Sequence, residues 1–406
     1  MTQSCREYFP GHAFYDLPET FLLEIISRFP TPFYLIDANC LQKRVEWLKE
    51  QFSGIKLFFP FKSCPVGWTR HQMRKYKIGS DVCSKKELEA LLILQETVGS
   101  FIYNSAAPTY EEMFLAASEH GIIVINDVDD FRLLKQVSNK LGRNVPYLVR
   151  VALSSLNQRQ SRFGTELDSL QSLLSNILTE PKAHLPEGFH FHLGTNIGQI
   201  ETYRRAFRSL CKEVKKLEGK FDADFKVIDI GGGYATPTSL FRRPFKRPEY
   251  FFPENLAQEI QIVLDELGLK NKEVWAEPGR LLAEESALFI TSVEKILKNK
   301  GIPCAIVNGG SHLIPTALHA NHPVKLLGKT DEVAQEWILY GRTCIEKDIL
   351  SVNAKLAREL AKDDVLIFGG VGAYDMGMAY PFSNGMPSTY VICENGSIQK
   401  FTSCPV

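Results

Sequence analysis

Between about residue 55 and residue 285, short apolar runs alternate with longer stretches in which apolar residues recur every three or four positions. The short runs predict strands at 56–62 (KLFFPFK), 77–83 (KIGSDVC), 100–105 (SFIYNS), 121–127 (GIIVIND), 146–153 (PYLVRVAL), 188–194 (GFHFHLG), 225–232 (FKVIDIGG) and 274–280 (VWAEPGR). The spacing between them predicts helices. From Ser84 to Gln95, Leu88, Leu91, Leu92 and Leu94 group on one side, and from Tyr110 to His120 a helix opens with Thr109 placed to cap it. Eight strand–helix units in about 230 residues fit a closed (β/α)8 TIM barrel better than an open sheet, and we assign it residues 41–285.

After residue 285 the texture changes. β-branched and aromatic runs at Ala287–Val293, Cys304–Val307, Val365–Gly369 and Thr389–Cys393 are separated by turns, which predicts a mainly antiparallel β-domain over 286–406. In the N-terminal segment 1–40, the run Phe33–Asp37 fits a strand of either domain, and we place it with the second. The basic, proline-containing stretch Arg242–Pro253 reads as a barrel loop.

Composition narrows the class. The 406 residues suffice for one large or two medium domains with a substantial core, and 47 basic against 47 acidic residues leave no net field to recruit nucleic acid or an anionic membrane. Nine cysteines, at 5, 40, 64, 83, 211, 304, 344, 393 and 404, form no C-x-x-C pair and no zinc spacing, so no metal site is expected and reduced thiols in the cytoplasm are the simpler reading. The opening Met1–Glu7 lacks a basic then apolar leader, and no run of about 18 apolar residues occurs, so neither export nor membrane insertion is expected.

Three segments carry candidate chemistry, each at the end of a predicted strand. Lys62 closes the run Leu57–Phe61; Gly231-Gly232-Gly233 follows Phe225–Ile230; Glu277-Pro278-Gly279-Arg280 follows Val274–Ala276. A lysine amine can hold an aldehyde cofactor, a glycine run lets backbone N–H groups approach a phosphate, an arginine adds a bidentate contact, and a carboxylate can keep a pyridine nitrogen protonated. Singly each is weak, since a lysine after an apolar run is most often a solvated strand end and a glycine triplet is usually a turn. Their joint occurrence points to pyridoxal 5'-phosphate.

In order and spacing these motifs resemble the pyridoxal-phosphate decarboxylases that join a (β/α)8 barrel of the alanine-racemase type to a β-domain, which include ornithine, arginine and diaminopimelate decarboxylases. The resemblance implies that Lys62 carries the cofactor, that Asp81 and Glu87 lie near its face, that His192 stacks on its ring, and that Glu277 meets the pyridine nitrogen. It further implies that Gly231, Gly232, Gly233, Gly279 and Arg280 bind phosphate, with Thr195 at a serine position and Tyr374 of Gly372-Ala373-Tyr374 reaching the same group. Gly341-Arg342-Thr343-Cys344 resembles the segment contributed by the partner subunit of an obligate homodimer, with Cys344 as catalytic proton donor; Arg162 and Asp348 match an ion pair across that interface.

The departures bear on substrate. Pro60, Ser63 and Cys64 replace the residues the family usually places around the lysine. Ile345 stands where the family commonly carries an acid that reads a distal amine, with Glu346 one position on. Asn308–Pro315 lacks the arginine of diaminopimelate decarboxylases and contains His312, a further candidate contact beside Asp348. These features resemble branches in secondary metabolism that decarboxylate siderophore precursors or carrier-protein-bound aminoacyl groups. The expectation is an amino-acid decarboxylase with a substrate other than ornithine, lysine or diaminopimelate, the alternatives being a racemase or epimerase, or a catalytically dead regulatory relative.

Overall fold

The apolar runs of the first half pair edge to edge, each parallel to the next, until the ring closes. The computed structural model describes residues 8–94, 101–153, 161–181, 183–236, 238, 253–297, 301–328, 334–357 and 359–401. After β1 (Phe33–Asp37) come β2 (Ile55–Pro60), β3 (Gly79–Val82), β4 (Phe101–Tyr103), β5 (Ile122–Ile125), β6 (Tyr147–Ala152), the two-residue β7 (Thr165–Glu166), β8 (Gly188–Phe191), β9 (Val227–Asp229) and β10 (Glu273–Ala276). The ring runs β2-β3-β4-β5-β6-β8-β9-β10 and returns to β2, with β7 an appendage on β6. Most of the stretch 242–253 lies outside the described residues.

Two layers of side chains fill the ring. Phe58, Ile102, Val124, Leu148, Val227 and Trp275 form an apolar plug. Because strand side chains alternate with a period of two, the next residues on the same face are Pro60, Asn104, Asn126, Arg150, Asp229 and Glu277, five of them polar or charged. The barrel is therefore apolar below and polar at the C-terminal mouth, where its loops begin. Outside, helix Lys85–Ile93 is capped by Ser84, and helix Tyr110–Ser118 by a capping box between Thr109 and Glu112.

The second sheet contains β11 (Ala287–Leu297), β12 (Cys304–Val307), β13 (Val324–Leu326), β14 (Ala334–Tyr340), β15 (Ile349–Ala357), β16 (Val365–Gly369), β17 (Ser388–Ile392) and β18 (Ile398–Phe401), together with β1. Its order is β15-β14-β12-β11-β1-β17-β18, with β16 against β11 and β13 against β16. It is mixed: β1 is parallel to β17 and β12 to β14, while the other pairings are antiparallel. Phe33 through Ile36 lie opposite Ile290 through Ala287, so an N-terminal strand sits inside a sheet otherwise built from the last third of the chain. β13, β14, β15 and β18 go beyond the runs anticipated from sequence. β15 mixes exposed Val352, at 57%, and Asn353 with buried Leu350, Ser351 and Ala354, so no continuous apolar run marks it. The seven described cysteines are all unpaired, and no helix among the described residues is long and apolar enough to cross a membrane.

Candidate active site

Pro60 has no N–H to continue the ladder, and β2 ends there, opposite Asp81. Lys62 therefore lies just past the strand, in a 3-10 turn Phe61–Ser63, rather than on it as the apolar run suggested. The turn is pinned on both sides. Ser63 Oγ donates to Pro60 O at 2.7 Å, and the Tyr374 N–H donates to Ser63 O at 2.6 Å. Gly279 must be glycine: a Cβ there would sit 2.8 Å from Ser63 Oγ and 3.2 Å from Pro60 Cγ. Gly279 thus packs closely against the lysine turn. Lys62 Nζ donates to Asp81 Oδ2 at 2.5 Å; the lysine side chain remains 38% exposed while that of Asp81 is fully buried. Burial works against the ammonium, but Asp81 and Glu277 outweigh it and hold Lys62 above its ordinary range. Glu87, buried nearby, accepts the Cys83 N–H at 2.8 Å; Ser84, not Asp81, caps the helix that follows.

Across the mouth, His190 Nε2 lies 3.3 Å from Glu277 Oε1 and 3.5 Å from Asn104 Nδ2, and Arg150 Nη1 donates to Asn104 Oδ1 at 3.3 Å. His190, Asp229 and Glu277, all buried, each bring a donor atom within 4.8 Å of the others. Three such groups can hold a metal ion, but burial first, then the positive charges of Arg150 and Lys62, push the His190 imidazole well below its ordinary value, and the same two charges oppose a further cation in this space. The cluster is better read as a buried polar layer. Neither His190 nor Asp229 stands out in the sequence, where each occupies one position of an otherwise ordinary strand; the period-two continuation of the apolar plug is the signal that finds Asp229.

His192 follows β8 with its ring exposed at the mouth, and its Nδ1 accepts the Gly232 N–H at 3.2 Å, which places the imidazole proton of the neutral ring on Nε2. The Gly231 N–H is taken by Asp229 Oδ1 at 2.8 Å. Of the three glycines expected to cradle phosphate, two therefore have their N–H groups engaged within the barrel, and only that of Gly233 is not taken by a described residue. Gly233 has φ +92°, and a Cβ there would lie 2.0 Å from Gly194 O, so the close approach of two loops demands glycine. Arg280 donates to Glu284 Oε1 at 2.6 Å and lies 4.8 Å from the Tyr374 ring centroid, leaving its buried Nε without a partner. With Thr195, Asn196, Tyr374 and His319 it lines a cavity of about 370 Å³. Tyr374 adopts φ 72°, ψ −31°, a conformation that costs a non-glycine residue about 1–3 kcal/mol and is held by the Ser63 bond.

A larger cavity, about 700 Å³, opens at Lys62 between barrel and β-domain, lined by Glu87, Tyr374, Met376, Met386 and Lys400 among others. Cys344, Ile345, Glu346, Asp348 and His312 do not line it. Cys344, Ile345 and Glu346 are exposed on the β-domain. Asp348 lies within its own chain's loops. It is buried, its Oδ1 accepts the Ser311 N–H at 2.6 Å, and its Oδ2 accepts both the N–H and hydroxyl of Thr343. His312 is likewise buried, beneath the rings of Tyr380 and Phe382. Arg162 is exposed with its guanidinium over Phe163, and Arg342 pairs with Glu294 at 2.9 Å.

Residues 39–284 match the family model described as "Pyridoxal-dependent decarboxylase, pyridoxal binding domain", which is more than half of the chain. The chain belongs to this family. It is a pyridoxal-phosphate-dependent carboxy-lyase acting on an amino acid. Relatives include a diaminopimelate decarboxylase of Aquifex aeolicus, 24% identical with 97% of this chain and 93% of the relative covered. A Staphylococcus aureus 2-[(L-alanin-3-ylcarbamoyl)methyl]-2-hydroxybutanedioate decarboxylase is 22% identical over 86% of this chain and 91% of its own. In fold, the chain superposes on the diaminopimelate decarboxylase of M. jannaschii with TM-score 0.84 at 18% identity, covering 94% of this chain and 92% of that one. The residues present fit the cofactor: buried Asp81 Oδ1, Glu277 Oε1, Asn196 Oδ1 and Arg280 Nε all lack hydrogen-bond partners around the mouth, as polar groups prepared for a polar ligand would.

Proposed function

We propose that the decarboxylase acts on an amino acid whose side chain is bulkier than a simple aminoalkyl chain and carries a carboxylate or acyl group, at a site completed by a second copy of the chain. The observation that carries the substrate class is the cavity at Lys62. About 700 Å³ is ample for an extended side chain, its wall includes Met376, Met378, Met386, Pro381, Pro387 and Phe401, and among the described residues Lys400 is its one cation besides Lys62, with Glu87 near the lysine end. Ile345 supports the same reading, because an aliphatic residue exposed beside Cys344 offers a terminal ammonium no charge partner.

In this reading Lys62 carries the cofactor, His192 packs on its ring, Glu277 faces the ring nitrogen, and Thr195, Gly233, Arg280 and Tyr374 hold the phosphate. Pyridoxal phosphate, when bound, supplies the electron sink that accepts the pair left as the Cα–carboxylate bond breaks. Glu277, beside His190, keeps a negative charge beside the ring nitrogen, which favours the protonated ring and loss of CO2. Asp81 holds Lys62 in place and charged until it reacts. Cys344, supplied by the second copy, delivers a proton to the substrate carbon.

The test is CO2 release from a panel of basic, acidic and acyl-substituted amino acids. Lysine, ornithine and diaminopimelate should be turned over about a thousandfold less well than the best acidic or acylated member, since an unpaired, desolvated ammonium loses several kcal/mol. Ile345→Asp should narrow that gap by at least about tenfold. Efficient decarboxylation of lysine or ornithine by the unaltered protein would overturn the substrate class.

A further inference from the structure

Asp229 and Glu277 are two carboxyl groups in one water-excluded layer. Both are buried, at 0% and 3% exposure; Asp229 Oδ2 has no hydrogen-bond partner, and Glu277 Oε1 forms no hydrogen bond, its nearest ring nitrogen being His190 Nε2 at 3.3 Å. Together with a ring nitrogen of His190, their oxygens lie within 4.8 Å of one another. Two carboxylates so close, with neither screened by water, cannot both hold a charge unless a cation sits between them. Lys62 is bonded to Asp81 and Arg150 to Asn104, so Arg150 reaches the two carboxyls only through space, and among the described residues Asp229 forms no ion pair.

We propose that Asp229 carries a proton where it faces Glu277, so that this buried layer holds a carboxylic acid in place of a second close anion, with His190 on β8 beside both. The pair is set by the strand register. His190 lies directly opposite Asp229 across β8 and β9, and Trp275 lies opposite Asp229 across β10, which puts Glu277 two residues on upon the same inward face. The groups facing Asp229 from the surrounding elements are His190 from β8, Glu277 after β10, Arg150 of β6, Asp81 of β3 and the Tyr234 hydroxyl beyond the glycine run, which itself donates to Gly231 O at 2.8 Å. Burial first, then Glu277, drives the Asp229 carboxyl well above its ordinary range, and Arg150 offsets this only in part. A protonated Asp229 avoids placing a second anion behind the cofactor. Asp229 is thus a positioning residue. That functional meaning rests on Glu277 facing the ring nitrogen; the protonation itself does not.

The sign of the pH effect separates the two. A carboxyl raised in the fold stabilises fully below the ordinary carboxylate range, and that stability is lost as pH rises through its folded value. In the cofactor-free protein, thermal unfolding followed from pH 5 to pH 9 should show a decline, about tenfold in the unfolding constant per pH unit for one proton, that Asp229→Asn abolishes. The variant should match or exceed the unaltered protein in stability at pH 8, and a neutral-carboxyl infrared band seen at pH 7.5 should be missing from it. Loss of stability by the same amount at every pH, failure of the near-isosteric variant to fold, or persistence of the infrared band would overturn the proposal. After loading with pyridoxal phosphate, the visible band should show a step in the same pH range, absent from Asp229→Asn. A pH-dependent stability difference without that spectral step would leave the protonated Asp229 standing and remove Glu277 from the ring nitrogen.

Discussion

At Lys62, burial and a neighbouring carboxylate pull the same ammonium in opposite directions. Burial disfavours the charge, and Asp81 at 2.5 Å more than restores it. An amine must lose its proton before it can attack an aldehyde. Asp81→Asn removes the restoring partner, so the Lys62 amine should titrate lower and capture pyridoxal phosphate at pH 7.5 at least about tenfold faster in stopped-flow absorbance, one pKa unit being a factor of ten in free amine. Slower or unchanged capture would mean that Asp81 positions the amine more than it charges it. Lys62→Ala should leave no borohydride-reducible adduct at all. Residues of this kind were legible in the sequence because a lysine, a glycine run and an acid–arginine pair each broke an apolar pattern at a strand end. Asp229 and His190 were not, because a single polar residue in a strand looks the same whether it faces solvent or the centre of a closed ring.

At the scale of the element, the turn between β14 and β15 is held by one carboxylate. Asp348 accepts from Ser311 and Thr343 and so ties the loop at 309–312 to the loop at 341–344, which positions Cys344 and Ile345. Removing it leaves a buried N–H at Ser311 without an acceptor and forfeits hydrogen bonds to a charged group. Asp348→Ala should therefore cost about 2–4 kcal/mol, read as a lower urea midpoint at unchanged slope. Asp348→Asn should recover part of that, since its carbonyl can still accept the Ser311 N–H. A fall of less than about 0.5 kcal/mol would mean that these hydrogen bonds do not hold the turn. The sequence placed Asp348 at an interface by resemblance alone, because nothing in a linear pattern shows that an acid will be enclosed by two loops 30 or so residues apart. The barrel strands were readable for the opposite reason: buried on both faces, they appear as continuous apolar runs. β14 and β15, with one exposed face, do not.

For the whole molecule, the decisive fact is what one chain leaves out. The cavity at Lys62 is lined by the barrel mouth and by the segments 374–389 and 400–401, whereas Cys344, the candidate proton donor, is exposed on another part of the β-domain and does not line it. In the proposed dimer a second copy would bring the two halves together across a two-fold axis, each copy lending Cys344 to the other. On that proposal, Lys62→Ala and Cys344→Ala proteins should each be nearly inactive, and mixing them after partial unfolding and subunit exchange should restore activity. Random re-pairing makes half of the dimers hybrid, and each hybrid contains one site with both residues intact, so recovery should approach about a quarter of the unaltered activity. Hybrid formation is checked independently by tagging one variant and recovering the other with it. Tagged hybrids that remain inactive would place Cys344 and Lys62 in the same chain's site or remove Cys344 from the chemistry, and full-length Cys344→Ala with near-normal CO2 release would decide for the second.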